Sequence, residues 1–174
     1  EGGRRVVLAH GAGAPMDADW MNDLAAGLAE RGLRVVRFEF PYMAHRRVDG
    51  RRRGPDRPPV LLQRWREVAD SLGPEQLVIG GKSMGGRIAS MVADELGVRG
   101  LLCLGYPFHP PGKPDRLRTA HLRKLHTPAL VLQGERDPFG TPDEVAGYDL
   151  SPAIGIRWLP DGDHSFKPRV RSGS

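Results

Sequence analysis

The chain has 174 residues, 39% apolar and 27% charged, which is enough for one domain with a sizeable core. Twenty-six lysines and arginines against 21 acids leave a net charge of +5, which raises the question of a nucleic-acid partner. The 23 glycines and 16 prolines fall between apolar runs rather than in a repeat, which argues against a fibrous or disordered chain. No stretch of about 18 apolar residues offers a membrane span.

Residues 4–9 (Arg-Arg-Val-Val-Leu-Ala) read as a strand buried on both faces. The spacing of Trp20, Leu24 and Leu28 predicts a helix over 17–30, stopped by Gly32. Residues 33–40 form the next expected strand, closed by Pro41, and a helix follows over 60–72, ended by Gly73-Pro74. Between them lie Arg46, Arg47, Arg51, Arg52, Arg53 and Arg57, mixed with glycine and proline. No aromatic side chain interleaves with these arginines to stack a base, so the segment reads as a solvated loop and no nucleic-acid partner is expected.

Residues 76–80 are the next expected strand, and after a tight turn a helix is expected over 83–96. Strands follow at 100–104, 129–133 and 154–159, with helical stretches near 116–124 and after Pro142. Strands alternating with helices build a mostly parallel sheet with helices on both faces, so the fold class is α/β. Ligands of such sheets bind beyond the carboxyl ends of the strands.

The strongest signal lies at one of those ends, in Gly81-Lys82-Ser83-Met84-Gly85 between a strand and a helix. A serine nucleophile on a strained strand-to-helix turn needs flanking glycines, because side chains there would collide. The helix N-terminus also aims free N–H groups at a developing oxyanion. Asp137 follows the strand 129–133 in Gly134-Glu135-Arg136-Asp137-Pro138, and His164 follows the last strand in Gly162-Asp163-His164-Ser165-Phe166. A serine hydroxyl becomes nucleophilic when a neutral imidazole takes its proton, and a carboxylate holds that imidazole in the right tautomer. Ser83, His164 and Asp137 are the candidates for these roles. Glu135, Asp161 and Asp163 compete for the last, although Asp161 and Asp163 stand so near His164 that they read as shaping its loop. His10, His45, His109, His121 and His126 do not follow the last strand and read as surface or structural residues.

With these motifs, His10-Gly11-Ala12-Gly13 and Leu104-Gly105-Tyr106-Pro107-Phe108-His109-Pro110, the chain resembles the α/β-hydrolase superfamily over nearly its whole length. Within it, the chain is most similar to the small, lidless, dienelactone-hydrolase-like group. The resemblance implies the chain order Ser, Asp, His, and oxyanion-hole N–H groups on Ala12 and Met84. It implies hydrolysis of a small carboxylic ester or related acyl compound, with no cofactor and no metal. Dienelactone hydrolases use a cysteine nucleophile, so Ser83 argues against that particular substrate. The short stretch 104–117 leaves little room for a cap domain. A single α/β-hydrolase domain is therefore expected over 1–174, lacking the helix that usually follows the histidine loop.

Tyr106, Phe108 and Phe139 are positional candidates for lining the substrate site, and His10 is expected to buttress its loop. A competing reading is a non-catalytic binding module that uses the arginine-rich segment. Cys103, the only cysteine, lies in an apolar run and reads as core. With no signal peptide before residue 4, a cytoplasmic home is the expectation, and the sequence is silent on oligomeric state.

Overall fold

The two chain-order patterns, β-rich apolar runs and helical stripes, resolve into alternating layers in the computed structural model, which describes residues 4–170. Residues 1–3, on which the expectation about a signal peptide falls, and the chain after 170, where a helix following the histidine loop would stand, lie outside the described residues. Six strands, β1 (Arg5–Ala9), β2 (Arg34–Phe38), β3 (Leu77–Lys82), β4 (Gly100–Leu104), β5 (Ala129–Gly134) and β6 (Ile154–Leu159), form one sheet in the order β2-β1-β3-β4-β5-β6. Every pairing is parallel. All six carboxyl ends therefore point to one edge, and the order reverses between β1 and β3.

Five helices, α1 (Asp19–Glu30), α2 (Pro41–Asp49), α3 (Pro58–Leu72), α4 (Met84–Leu96) and α5 (Pro142–Ala146), connect the strands, with short 3-10 turns at Pro74–Gln76 and Ala120–Lys124. The larger core joins Val7, Ile79, Leu101, Cys103 and Val131 on one sheet face to Trp65 of α3 and to Ile88 and Val92 of α4. Trp65 is wholly buried, edge-on to Phe38 with ring centroids 4.7 Å apart. On the other face α1 packs Met21, Leu24 and Leu28 against Val6 and Leu8. The parallel register carries that face from Leu8 through Gly80 and Leu102 to Leu130. There Leu130 is 38% exposed, because α1 covers only the β1 side.

The arginine-rich segment is the expected loop only over 50–57, whereas Arg46 and Arg47 lie in α2. Pro41, read as closing a strand, is the first residue of α2, where its missing N–H costs nothing and its fixed φ suits the helix. Gly50, left-handed at φ 70°, ends α2. Nor is the charge all solvated. Arg47 bonds both Glu39 and Asp17 at 2.5 Å, and Arg53, in the loop after α2, pairs with Asp49 at the end of that helix. Burial would push the Glu39 carboxyl up, but hydrogen bonds from Arg47 and the Met16 N–H hold it below its ordinary value. Farther along, the expected helix near 116–124 is reduced to the 3-10 turn Ala120–Lys124.

Candidate active site

Ser83 links β3 to α4 at φ 49°, ψ −117°, a backbone region that costs a non-glycine residue about 1–3 kcal/mol. Neighbouring contacts hold it there. Its N–H donates to the Leu104 carbonyl at 2.8 Å, and its carbonyl accepts from Arg87 N at 3.0 Å. The glycines are required by space. A Cβ on Gly81 would strike the Ala9 carbonyl, one on Gly85 would sit 2.5 Å from the His10 carbonyl oxygen, and one on Gly86 would sit 2.7 Å from that of Gly81.

Asp137 is fully buried in the turn after β5. Its Oδ1 accepts from Phe139 N at 2.8 Å, and its Oδ2 accepts from the Gln133 amide at 3.1 Å. The same Oδ2 lies 2.7 Å from His164 Nδ1, and His164 Nε2 lies 2.9 Å from Ser83 Oγ. These two contacts make one continuous relay from a buried carboxylate to a hydroxyl at the open edge of the sheet. The His164 side chain is 23% exposed, so the relay ends in contact with solvent.

The loop carrying His164 is tied from several sides. Asp163, one of the competing carboxylates, instead accepts from Ser165 N and Lys167 N at 2.8 and 2.9 Å, and these backbone bonds hold it below its ordinary pKa. Asp161 pairs with Arg169 at 2.7 Å and with Arg136 at 3.2 Å, and the third competitor, Glu135, accepts from Asp161 N at 3.2 Å. Trp20 of α1 donates its Nε1–H to the Ser165 carbonyl at 3.2 Å. Lys82, inside the glycine–serine motif, donates to the His164 carbonyl, with its ammonium 5.2 and 5.4 Å from the Trp20 and Phe166 ring centroids. Burial brings the Lys82 pKa down to about 8, although Asp137 and Asp163 pull the other way.

A cleft of about 410 Å³ opens over Ser83 and His164, walled by 11–14 of the loop after β1, by Trp20 and Met21 of α1, and by Phe139. Phe139 stacks on the His164 ring at 4.2 Å between centroids. Ala12 lines this cleft, with its carbonyl fixed by the Tyr42 hydroxyl at 2.8 Å, and Met84 is the first residue of α4. Neither the Ala12 nor the Met84 N–H donates a hydrogen bond within the described residues. His10 spans the loop it sits in. Its Nε2 accepts from Phe40 N at 3.1 Å, and its Nδ1 lies 2.6 Å from the Gly11 carbonyl. Burial lowers its pKa.

Two residues expected to line the site do not. Tyr106 and Phe108 are each 1% exposed and belong to the main core. The chain turns inward after β4, at left-handed Gly105, and the two rings fill the space under the acid loop. A Cβ on Gly140 would meet the Phe108 ring at 2.5 Å. Behind them stands Gln133, which sequence reasoning missed. Its amide bonds Tyr106 N and O at 2.8 and 3.1 Å as well as Asp137, so it joins the loop after β4 to the acid loop. A polar residue in a buried strand, four positions before the candidate acid, is the signal that could have found it.

A second serine–histidine contact, Ser90 Oγ to His121 Nε2 at 2.8 Å, lacks these features. Ser90 is buried in the middle of α4 and gives its proton to the Arg87 carbonyl at 2.5 Å. No carboxylate bonds His121 within the described residues. The same residues hold no group of three or more His, Cys, Asp or Glu side chains able to bind a metal, and no helix long and apolar enough to cross a membrane.

Known structures share this architecture. A dienelactone hydrolase from Anabaena variabilis superposes with a TM-score of 0.72 at 23% identity, over 95% of this chain and 78% of its own. An alpha-beta serine hydrolase homologue from Coxiella burnetii gives 0.70 at 20% identity, over 92% and 76%. A lidless a/b serine hydrolase from Xanthomonas campestris gives 0.69 at 22%, over 92% and 73%. The profile of the family described as alpha/beta hydrolase domain matches residues 2–174. With this match, its parallel sheet and its strained Ser83 turn, and with no lid among the described residues, the chain belongs to the alpha/beta hydrolase family.

Proposed function

We propose that the chain is a serine hydrolase cleaving small carboxylic esters or thioesters through an acyl-enzyme on Ser83. The observation that carries this reading is the relay Asp137–His164–Ser83, at 2.7 and 2.9 Å, opening into a cleft. In the first step Ser83 Oγ attacks the acyl carbon while its proton passes to His164 Nε2. Asp137 stabilises the imidazolium and keeps its Nδ1–H directed inward. The oxyanion takes hydrogen bonds from the N–H groups of Ala12 and Met84, the second at the positive end of α4.

Collapse of the tetrahedral intermediate breaks the bond to the alcohol or thiol, which leaves with the proton from His164. Water then attacks the acyl-enzyme, giving a proton to His164, and the acid departs as Ser83 recovers its own. A lidless cleft walled by Trp20, Met21 and Phe139 suits short acyl groups presented end-on. A cytoplasmic setting is part of this reading.

Hydrolysis of short p-nitrophenyl esters tests it. The wild type is expected to turn them over, and Ser83→Ala to lose about 10⁴-fold or more in kcat while keeping its fold. Equal rates in the two proteins would refute the role of Ser83.

A further inference from the structure

The edge of the sheet opposite Ser83 carries arginines where strands begin. β1 opens at Arg5, with Arg4 just before it, and Arg99 immediately precedes β4. Backbone bonds anchor the two outer residues. The Arg4 carbonyl accepts from Arg34 N at 3.0 Å, and Arg99 N donates to the Leu77 carbonyl at 2.9 Å. Between them β3 leaves the 3-10 turn Pro74–Gln76, since β3 lies between β1 and β4 in the sheet. A hollow of about 250 Å³ opens there, lined by Arg4, Arg5 and Arg99, by the end of α3, and by Glu75 and Gln76. Arg5 is half-buried and held from inside. Its Nη1 donates to the Leu72 carbonyl at 3.2 Å, one of those that the end of α3 leaves without a helical partner.

Among the described residues no carboxylate pairs with any of these three guanidinium groups, whereas Arg47, Arg66, Arg136 and Arg169 each bond one. Glu75, the one acid of the lining, forms no ion pair among them either. Three positive charges thus face one negative charge across the hollow, an excess of two. Like charges around one space repel, and an anion placed between them relieves the repulsion. A phosphate monoester carries about −1.5 to −2 near neutral pH, which matches the excess. Guanidinium forks also fit phosphate oxygens with paired N–H bonds.

We propose that the hollow lined by Arg4, Arg5 and Arg99 binds the phosphate group of a small phosphorylated molecule. Its volume lies below the roughly 300 Å³ at which drug-sized pockets begin, so the occupant is a phosphate with a few attached atoms. The six residues of β3 separate this edge from Ser83, roughly 20 Å at about 3.3 Å per residue. No residue lines both this hollow and the cleft over Ser83. The site is therefore distinct from the proposed ester site and stands whether or not Ser83 is a nucleophile.

Thermal unfolding tests this, with inorganic phosphate or glycerol 3-phosphate against sodium chloride of equal ionic strength. At about 20 mM of either phosphate compound the wild type is expected to gain about 4 °C in Tm, and Arg5→Gln and Arg99→Gln less than about 1 °C. Arg52→Gln, which removes one charge from the loop after α2, is expected to keep the full gain, which separates the site from a general effect of charge or salt. Glycerol 3-phosphate is expected to match or exceed inorganic phosphate, and a gain with inorganic phosphate alone would refute a phosphorylated molecule as the ligand. No gain beyond chloride in the wild type, or an equal gain in Arg99→Gln, would overturn the proposal. Stabilisation by a short DNA duplex and by neither phosphate compound would overturn it as well. Should Arg5→Gln lose its fold with the Leu72 bond, Arg99→Gln decides alone, since Arg99 is exposed.

Discussion

The loops that carry Asp137 and His164 leave the same edge of the sheet and meet at 2.7 Å, yet they are held in opposite ways. The acid loop grows out of the core. Asp137 and Gln133 are fully buried, and Tyr106 and Phe108 pack beneath them. The histidine loop is fastened from outside, by Lys82 and Trp20 and by pairs of Asp161 with arginines that are themselves partly exposed. A buried polar link lost on one side leaves groups that water cannot reach, whereas a partly exposed link lost on the other is largely replaced by solvent. Damage to the first loop should therefore cost both fold and chemistry, and damage to the second should be graded.

The sharpest break is Asp137→Asn, which keeps the packing but not the carboxylate. Its kcat on a p-nitrophenyl ester is expected to fall about 10⁴-fold, with near-native circular dichroism. A loss under tenfold would remove Asp137 from the relay. Next comes Gln133→Leu, which strands the polar groups of Tyr106 and Asp137. Urea unfolding should show about 1–3 kcal/mol of lost stability, and kcat should drop roughly 10–100-fold through a misplaced acid. An unchanged midpoint would mean that Gln133 is no core link.

Lys82 supplies a pH test of the histidine side. Its folded pKa of about 8 lies below the ordinary lysine value of 10.5. Between these values the unfolded chain binds the proton more readily, so this residue makes stability rise with pH across that window. The stability difference between wild type and Lys82→Met, from urea midpoints at several pH values, should increase from pH 8 toward 10.5 and stay flat below 8. A difference that falls over the window would contradict the buried ammonium. The smallest effect belongs to Arg169→Ala, whose pair with Asp161 is 73% exposed on the arginine side. It should shift stability by less than about 0.5 kcal/mol and leave ester turnover within twofold. A larger loss would show that the outer fastening matters more than its exposure suggests.

The same contrast explains what the sequence could say in advance. Strands and their order of alternation were legible because Val-Val-Leu and Leu-Val-Ile runs bounded by glycine carry a local signature. Ser83, Asp137 and His164 stood out because each follows an apolar run in a loop with glycine on at least one side. The structure brings His164 within hydrogen-bond distance of both Ser83 and Asp137. Helix α2 was hidden, since its arginines dilute the apolar pattern and only Tyr42 and Met43 face the core. Tyr106 and Phe108 looked like cleft residues because chain position does not report the inward turn at Gly105. Lys82 and Trp20 act through partners 82 and 145 residues away, separations at which no local spacing rule operates, whereas Gln133 bonds Asp137 only four positions on as well as Tyr106 27 positions back.

The most direct test of the account is covalent labelling by a fluorophosphonate, with the adduct located by peptide mass spectrometry. An activated serine reacts only in the folded protein. The account predicts one adduct, on Ser83, which disappears in Ser83→Ala, weakens strongly in His164→Ala and is absent after denaturation. A folded wild type that takes no label, or takes it on Ser90 instead, would contradict it.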